Sequence, residues 1–291
     1  MSVFFSWYHR LPIIRELDRI LVQTASVRNT LRDELQSLRA LHCRDYCDQL
    51  RAEKSAREGP LCLHRFEHQV CSQNGEDGVL VEIFRRIGEG RRTFAEVGVG
   101  DGIENNTAFL HSLGWSGAWI DAEPLPSASP TNVRFLKAFT TSENIAELFT
   151  QLAVPRDVDL CSLDIDQNTF YLWEALAAWQ ARVVVIEYNA SLPPSVDWQV
   201  TYVADRVWDG TINFGASLKA LERLGRRLGY TLIHCEIIGA NAFFVRNDLV
   251  GAHFTGPFDA ETHYEPPRYS YLHILGHRRS LLDRALPPVE T

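Results

Sequence analysis

The segment TFAEVGVGDGIENNT, residues Thr93 to Thr107, is a short apolar run that ends in three glycines spaced by two. Its first half, 93–98, has the composition of a strand buried on both faces of a parallel sheet. Gly98, Gly100 and Gly102 then form a turn whose missing Cβ atoms let a ligand approach the backbone. In an open α/β sheet such a turn lies outside the carboxyl ends of the strands, where ligands bind. Turns of this kind usually cradle phosphate, yet Glu96, Asp101 and Glu104 make this one acidic. The spacing is G-x-G-x-G, not G-x-G-x-x-G, and carboxylates at Glu96 and Asp101 repel a pyrophosphate.

Outward from this segment, strand-like and helix-like stretches alternate. Strands are expected at 93–98, 117–121, 133–139, 159–165, 182–188, 230–237 and 241–246, and helices at 104–113, 142–153, 170–180 and 215–228. Upstream, SQNGEDGVLVEIFRRIG (72–88) reads as a helix with Ser72 as a possible cap and Gly88 at its close. The last two strands are joined only by Ile238-Gly239-Ala240, which requires an antiparallel hairpin. The expectation is an α/β protein with a Rossmann-like sheet of seven strands, the last hairpin antiparallel. That pattern resembles the class I S-adenosylmethionine (SAM)-dependent methyltransferase fold.

SAM carries an ammonium and a sulfonium cation and no phosphate, so an acidic turn suits it. A nicotinamide oxidoreductase is the alternative, disfavoured by the acidic turn and the terminal hairpin. The second strand ends in WIDAEP, where Asp121 is placed to accept hydrogen bonds from ribose hydroxyls; Glu123 does the same if the strand runs longer. Ala138, Phe139 and Thr140, at the end of the third strand, border an adenine in this reading.

A second acidic group closes the fourth and fifth strands. Asp164 and Asp166, two apart, share a face, and Glu187 and Asn189 end the neighbouring strand. Three carboxylates around one point bind protons or a cation. Three uses are open to them: a site for Mg²⁺ or Mn²⁺ at Asp164, Glu187 and Asn189, a metal-free base at Asp164 or Asp166, or capping of the following helices. The long segment 202–218, with its aromatics, Asp209 and Asn213, reads as a substrate lid.

The 291-residue chain carries a net charge of −8, distributed as +2 over residues 1–60 and −10 over the remainder. An acidic body argues against nucleic acid as partner. No apolar run is long enough to span a bilayer, and the opening MSVFFSWYHRLPII lacks a cleavage site. The six scattered cysteines, Cys43, Cys47, Cys62, Cys71, Cys161 and Cys235, point to reduced thiols and a cytoplasmic protein; Cys43, Cys47, Cys62, His64 and His68 match no compact zinc spacing. Leu17, Ile20, Thr24, Val27, Leu31, Leu38 and Leu41 follow a heptad, interrupted by Glu34. They predict a helical arm that forms a homo-oligomeric coiled coil or docks on its own domain. The division is a helical arm and linker at 1–60, with Ser55–Pro60 as the linker, a methyltransferase-like domain at 61–255 and a C-terminal extension at 256–291 packing on it.

SQNGEDGVL, EVGVGDGIENNT, GWSGAWID, SLDIDQN, VVVIEYNA, WDGTINFGASL and NAFFVRNDL occur in this order over about residues 70–250. Together they resemble the FkbM-like methyltransferase superfamily, in particular a bacterial branch associated with surface polysaccharides. The resemblance implies a SAM-dependent O-methyltransferase acting on a sugar hydroxyl of a glycan or nucleotide-sugar. It carries cofactor binding onto Gly98, Gly100 and Asp121, and the fourth-strand aspartate onto Asp164, with Gln167 where relatives often have glycine. A non-catalytic scaffold of the same fold is the alternative; the intact Gly98, Gly100, Asp121 and Asp164 count against it.

Overall fold

The structure is a computed structural model that describes residues 12–269. The start of the expected arm (1–11) and most of the C-terminal extension (270–291) lie outside the described residues.

Seven strands form one sheet: β1 Thr93–Val97, β2 Ser116–Asp121, β3 Val133–Lys137, β4 Leu160–Leu163, β5 Val183–Glu187, β6 Tyr230–Cys235 and β7 Asn241–Arg246. Their order is β3-β2-β1-β4-β5-β7-β6. The first five are parallel, and β7 runs antiparallel between β5 and β6. This is the class I methyltransferase arrangement that the hairpin predicted. The strands fall within the expected ranges to within one or two residues at each end, apart from Ser116 joining β2.

Both sheet faces are covered, which explains the near-continuous apolar strands. On one face Ala95, Val97, Val184 and Ile186 pack against Phe149 of α4 (Ile145–Gln151), Phe170 and Leu172 of α5 (Thr169–Ala175) and Leu221 of α6 (Leu218–Leu228). On the other, Phe94, Val183 and Val185 meet Val79, Leu80, Ile83 and Phe84 of α2 (Glu76–Ile87) and Leu110 of α3 (Ala108–Ser112). The alternation of neighbouring residues between the two clusters is the period of two of a strand.

Ser72 does not cap α2, whose N-cap is Gly75. Ser72 instead belongs to a loop gathered by Asp77, whose Oδ2 accepts the backbone N–H groups of Val70, Cys71 and Ser72 and the Ser72 hydroxyl, all at 2.7–2.9 Å. Glu236 does the same for the β6–β7 turn, accepting N–H donors from Ile238, Gly239, Ala240 and Asn241. Burial and the neighbouring Glu76 and Glu67 push its carboxyl up to about 8.

The arm is a single helix, α1 Pro12–Glu58, about 70 Å long at 1.5 Å per residue. It runs through Ser55–Glu58, so the expected linker shrinks to the turn at Gly59-Pro60. Its last third docks: Cys47 and Leu50 pack on Ile237 and Ile238, and Arg51 bonds Glu67 at 2.8 Å. Its first part stands away from the body, leaving Leu17, Ile20, Val27, Leu31, Leu38 and Leu41 exposed. Two short helices, α7 Asn247–Val250 and α8 Ala260–His263, follow β7. The described part of the C-terminal extension packs on the domain through Tyr188 Oη, which donates to Glu265 O at 2.6 Å, and Tyr264 Oη, which donates to Ala190 O at 2.6 Å.

Candidate functional site

A cleft opens at the carboxyl ends of β1, β2 and β4, beside the point where strand order reverses. Gly98, Asp121, Phe139, Asp164, Asp166 and Arg206 are among the residues that line it. The first five of these are sequence-predicted site residues, so five of the twelve meet in one cleft.

The glycine turn divides its labour. All three glycines have positive φ. A Cβ on Gly98 would sit 1.6 Å from the carbonyl oxygen of Asp164, so the close approach of the chain after β4 already requires this glycine. A Cβ on Gly102 would press on Leu125 and Trp119 at 3.0 Å. At Gly100 it would meet open space among the described residues, which leaves Gly100 as the position a ligand can approach. Its N–H donates to Asp121 Oδ2 at 2.9 Å.

The acids around this turn are occupied by its own backbone. Glu96 is buried beneath it and accepts the N–H groups of Asn106 (2.9 Å) and Thr107 (3.1 Å) and the Thr107 hydroxyl (2.5 Å). Burial nevertheless pushes its carboxyl up to about 7 against those donors. Glu96 is therefore an anchor of the post-glycine segment and does not line the cleft. Asp101 caps its own turn through Ile103 N at 2.9 Å and Glu104 N at 3.3 Å. Much of the acidity that sets this turn apart thus satisfies N–H donors of the loop itself.

Strand β2 ends at Asp121, and Glu123 lies beyond it, exposed, with its own N–H on Asp121 Oδ1 at 2.8 Å. Asp121 is therefore the strand-end acid that reaches the cleft. Phe139 lies past the end of β3, 44% exposed as a residue, outside the core clusters and on the cleft wall.

Carboxylate oxygens of Asp164, Asp166 and Glu187 lie within 4.8 Å of one another. Asp164 and Glu187 are half-buried and Asp166 is exposed, so the group sits in a recess open to the cleft. Asp164 is pushed up to about 7 by burial and then by Asp166, Glu96 and Glu76. Glu187 is raised well above the usual carboxylate range by burial and by Asp164 and Asp166. Glu187 Oε2 is buried with no hydrogen-bond partner among the described residues. Asp166 itself takes a left-handed backbone, φ +60°. A cation shared by the three would remove the mutual repulsion and give the orphaned oxygen a partner.

Asn189 does not join this group. Its Nδ2 donates to the carbonyls of Ile212 (2.9 Å) and Phe214 (2.8 Å), and its Oδ1 accepts from Ser191 N. The side chain is a buried anchor for segment 202–218, with its polar atoms already used. Asp209 likewise turns inward on its own loop, accepting from Thr211 N and Oγ1 at 3.0 and 2.6 Å, and does not line the cleft. The residues of segment 202–218 that do are Arg206, Val207 and Trp208. Sequence reasoning passed over Arg206, although it is the single cation of segment 202–218. It also passed over Asn168, which lines the cleft and donates to the Val203 carbonyl at 2.9 Å.

No protein-family model matches the sequence, and no curated protein matches it. Among solved structures, the chain is similar to the MycE methyltransferase from the mycinamycin biosynthetic pathway, solved in complex with Mg, SAH and mycinamycin VI. The identity is 15% and the TM-score 0.39, over 58% of this chain and 49% of that one. It is similar to the 1,6-didemethyltoxoflavin-N1-methyltransferase of Burkholderia thailandensis at 14% identity and a TM-score of 0.38, over 54% and 71% of the two chains. The N-terminal domain of EvdMO1, solved with SAH bound, gives 12% and 0.37 over 62% and 82%. The chain spans about half the length of the MycE chain it matches. At these identities and TM-scores the likeness carries nothing about activity or ligand.

Proposed function

We propose that the chain is a SAM-dependent O-methyltransferase whose acceptor is a sugar hydroxyl of a glycan or nucleotide-sugar. The observation that carries this reading is the pairing of Gly100 and Asp121 across the ends of β1 and β2, one cleft wall away from the carboxylate recess of Asp164, Asp166 and Glu187. The cleft fits the cofactor: an open approach at Gly100, a strand-end acid for a ribose at Asp121, an exposed ring at Phe139 for an adenine, and acidic surroundings for two cationic groups. SAM supplies an electrophilic methyl group when bound.

This chain's own residues then have to place and deprotonate the acceptor oxygen. Asp164, held near pH 7 in its protonation, is suited to take a proton from a hydroxyl that enters the recess. Mg²⁺ or Mn²⁺ held by Asp164, Asp166 and Glu187 would lower the pKa of that hydroxyl and fix it. Trp208 on the lid offers a face for a sugar ring, and Arg206 a cation for an anionic acceptor.

The exposed apolar stripe of α1 supports a homo-oligomer in which a second copy covers it. Light scattering of the full chain then reads a dimer or larger, and Leu31→Asp with Leu38→Asp reads a monomer; a monomeric wild type ends this part of the reading. Among the described residues no helix is long and apolar enough to cross a membrane. The activity is tested by binding of S-adenosylhomocysteine and by methyl transfer to a panel of sugars and nucleotide-sugars. Binding without transfer to any acceptor favours a scaffold.

A further inference from the structure

We propose a second metal site, independent of the cleft, in which His64 Nδ1, Glu67 Oε1 and His234 Nε2 hold a divalent transition-metal ion of the Zn²⁺ type. The three residues come from the 3-10 helix Leu63–Phe66, the residue after it, and the end of β6, so 167 positions of sequence separate Glu67 from His234. They meet at the edge of the sheet where the base of α1 docks, with β5 and β7 lying between them and the cleft strands.

The geometry converges on one oxygen. His64 Nδ1 lies 2.8 Å and His234 Nε2 3.2 Å from Glu67 Oε1, and the three donor atoms fall within 4.8 Å of one another. Metal bonds of about 2.0–2.1 Å place tetrahedral ligands roughly 3.3 Å apart, so the group needs to open by about half an ångström at His64. His234 is 2% exposed, and its Nε2 has no hydrogen-bond partner among the described residues, although it is close to the carboxylate. A buried ring nitrogen close to an anionic oxygen but not aligned for a hydrogen bond is costly. An ion between the two resolves it.

The surroundings match what holds metal ligands in place. Arg51 Nε bonds the other oxygen of Glu67, Oε2, at 2.8 Å, and Ile237 N donates to Oε1 at 3.0 Å, which fixes the carboxylate and leaves Oε1 one lone pair for the ion. The far ring nitrogen of His64, Nε2, lies 3.5 Å from Glu265 Oε1, which also pairs with Lys54 Nζ, so an acidic group backs the ring. A recess of about 430 Å³, lined by Arg51, Glu67, His68 and Asn74 among others, lies beside the junction. The cysteines near this junction are not in the set; Cys62 Sγ faces Glu58 Oε2 at 3.3 Å.

The test uses the full chain, stripped with a chelator and titrated with Co²⁺ and then Zn²⁺ while excess Mg²⁺ occupies the carboxylate recess. The expected result is one equivalent of Co²⁺ with tetrahedral visible bands, displaced by Zn²⁺. X-ray absorption on the zinc form should then show only nitrogen and oxygen neighbours at about 2.0–2.1 Å. His234→Ala and Glu67→Gln should lose the equivalent, while Cys62→Ser and Asp164→Asn keep it. The wild-type titration decides the matter even if the ligand variants fail to fold. No Co²⁺ bands in wild type at micromolar metal would mean that a hydrogen-bonded His–Glu–Arg network alone fills the junction, and the proposal falls. Sulfur in the zinc shell, or bands that survive His234→Ala in a folded chain, would overturn the ligand assignment.

Discussion

The backbone N–H of Gly100 donates to Asp121 Oδ2 at 2.9 Å, which ties the turn after β1 to the carboxyl end of β2. Asp121 Oδ1 in turn accepts from Glu123 N at 2.8 Å. Each carboxylate oxygen has one backbone donor and keeps a lone pair for a ligand. The acid is thus fixed before anything binds, and a ligand with two vicinal hydroxyls meets acceptors that need no reorganisation.

Asp121→Ala removes both. S-adenosylhomocysteine affinity should fall by roughly 10- to 100-fold, the loss of about 1.5–3 kcal/mol expected of hydrogen bonds to a charged acceptor. Calorimetric titration of wild type and variant measures it, with circular dichroism as the check on folding. An unchanged affinity would remove Asp121 from the cofactor site.

Two glycines of the same turn should separate stability from binding. Gly98→Ala drives a Cβ into the Asp164 carbonyl at a φ of +84°, and the cost should be at least about 3 kcal/mol. Gly100→Ala has open space and a φ of +58°, so its cost should be about 1–2 kcal/mol while ligand affinity drops. Denaturant unfolding and titration on both variants test the contrast. Equal destabilisation by the two would contradict it.

The buried carboxyl of Glu96, pushed up to about 7 chiefly by burial, gives the stability curve a direction. Its folded pKa lies above the unfolded value of about 4.3, so the native state binds more protons between the two. Its contribution is full below about pH 4 and is lost as the pH rises towards 7. Glu96→Gln should flatten that window by up to about 3 kcal/mol, read as the wild-type minus variant stability at pH 5 and at pH 8. Glu236 titrates in the same range and cancels in the subtraction, whereas Asp164 is itself raised by Glu96, so the comparison is made in an Asp164→Asn background. A difference that does not change with pH would contradict the burial account.

The sheet was legible because both of its faces are covered, so each strand is an apolar run that needs no partner to be recognised. The IGA turn made the final hairpin unavoidable, and strand ends placed Asp121, Asp164 and Asp166 at one cleft. What spacing could not reveal was direction. Asn189 and Asp209 stand where ligands were expected, but their amide and carboxylate are turned onto Ile212, Phe214 and Thr211. The same holds for Gly98, whose need is a backbone carbonyl 66 residues away in sequence, and for Glu96, whose acidity serves Asn106 and Thr107. The junction of His64, Glu67 and His234 was hidden for another reason: it joins the start of the domain to its sixth strand, and no local pattern spans that distance.

The central claim is the cofactor. Calorimetric titration of the metal-stripped full chain with S-adenosylhomocysteine and, separately, with NADH, each repeated with Mg²⁺, tests it most directly. Saturable one-to-one binding of S-adenosylhomocysteine and none of NADH is the result predicted. Binding of NADH alone, or of neither, would contradict it.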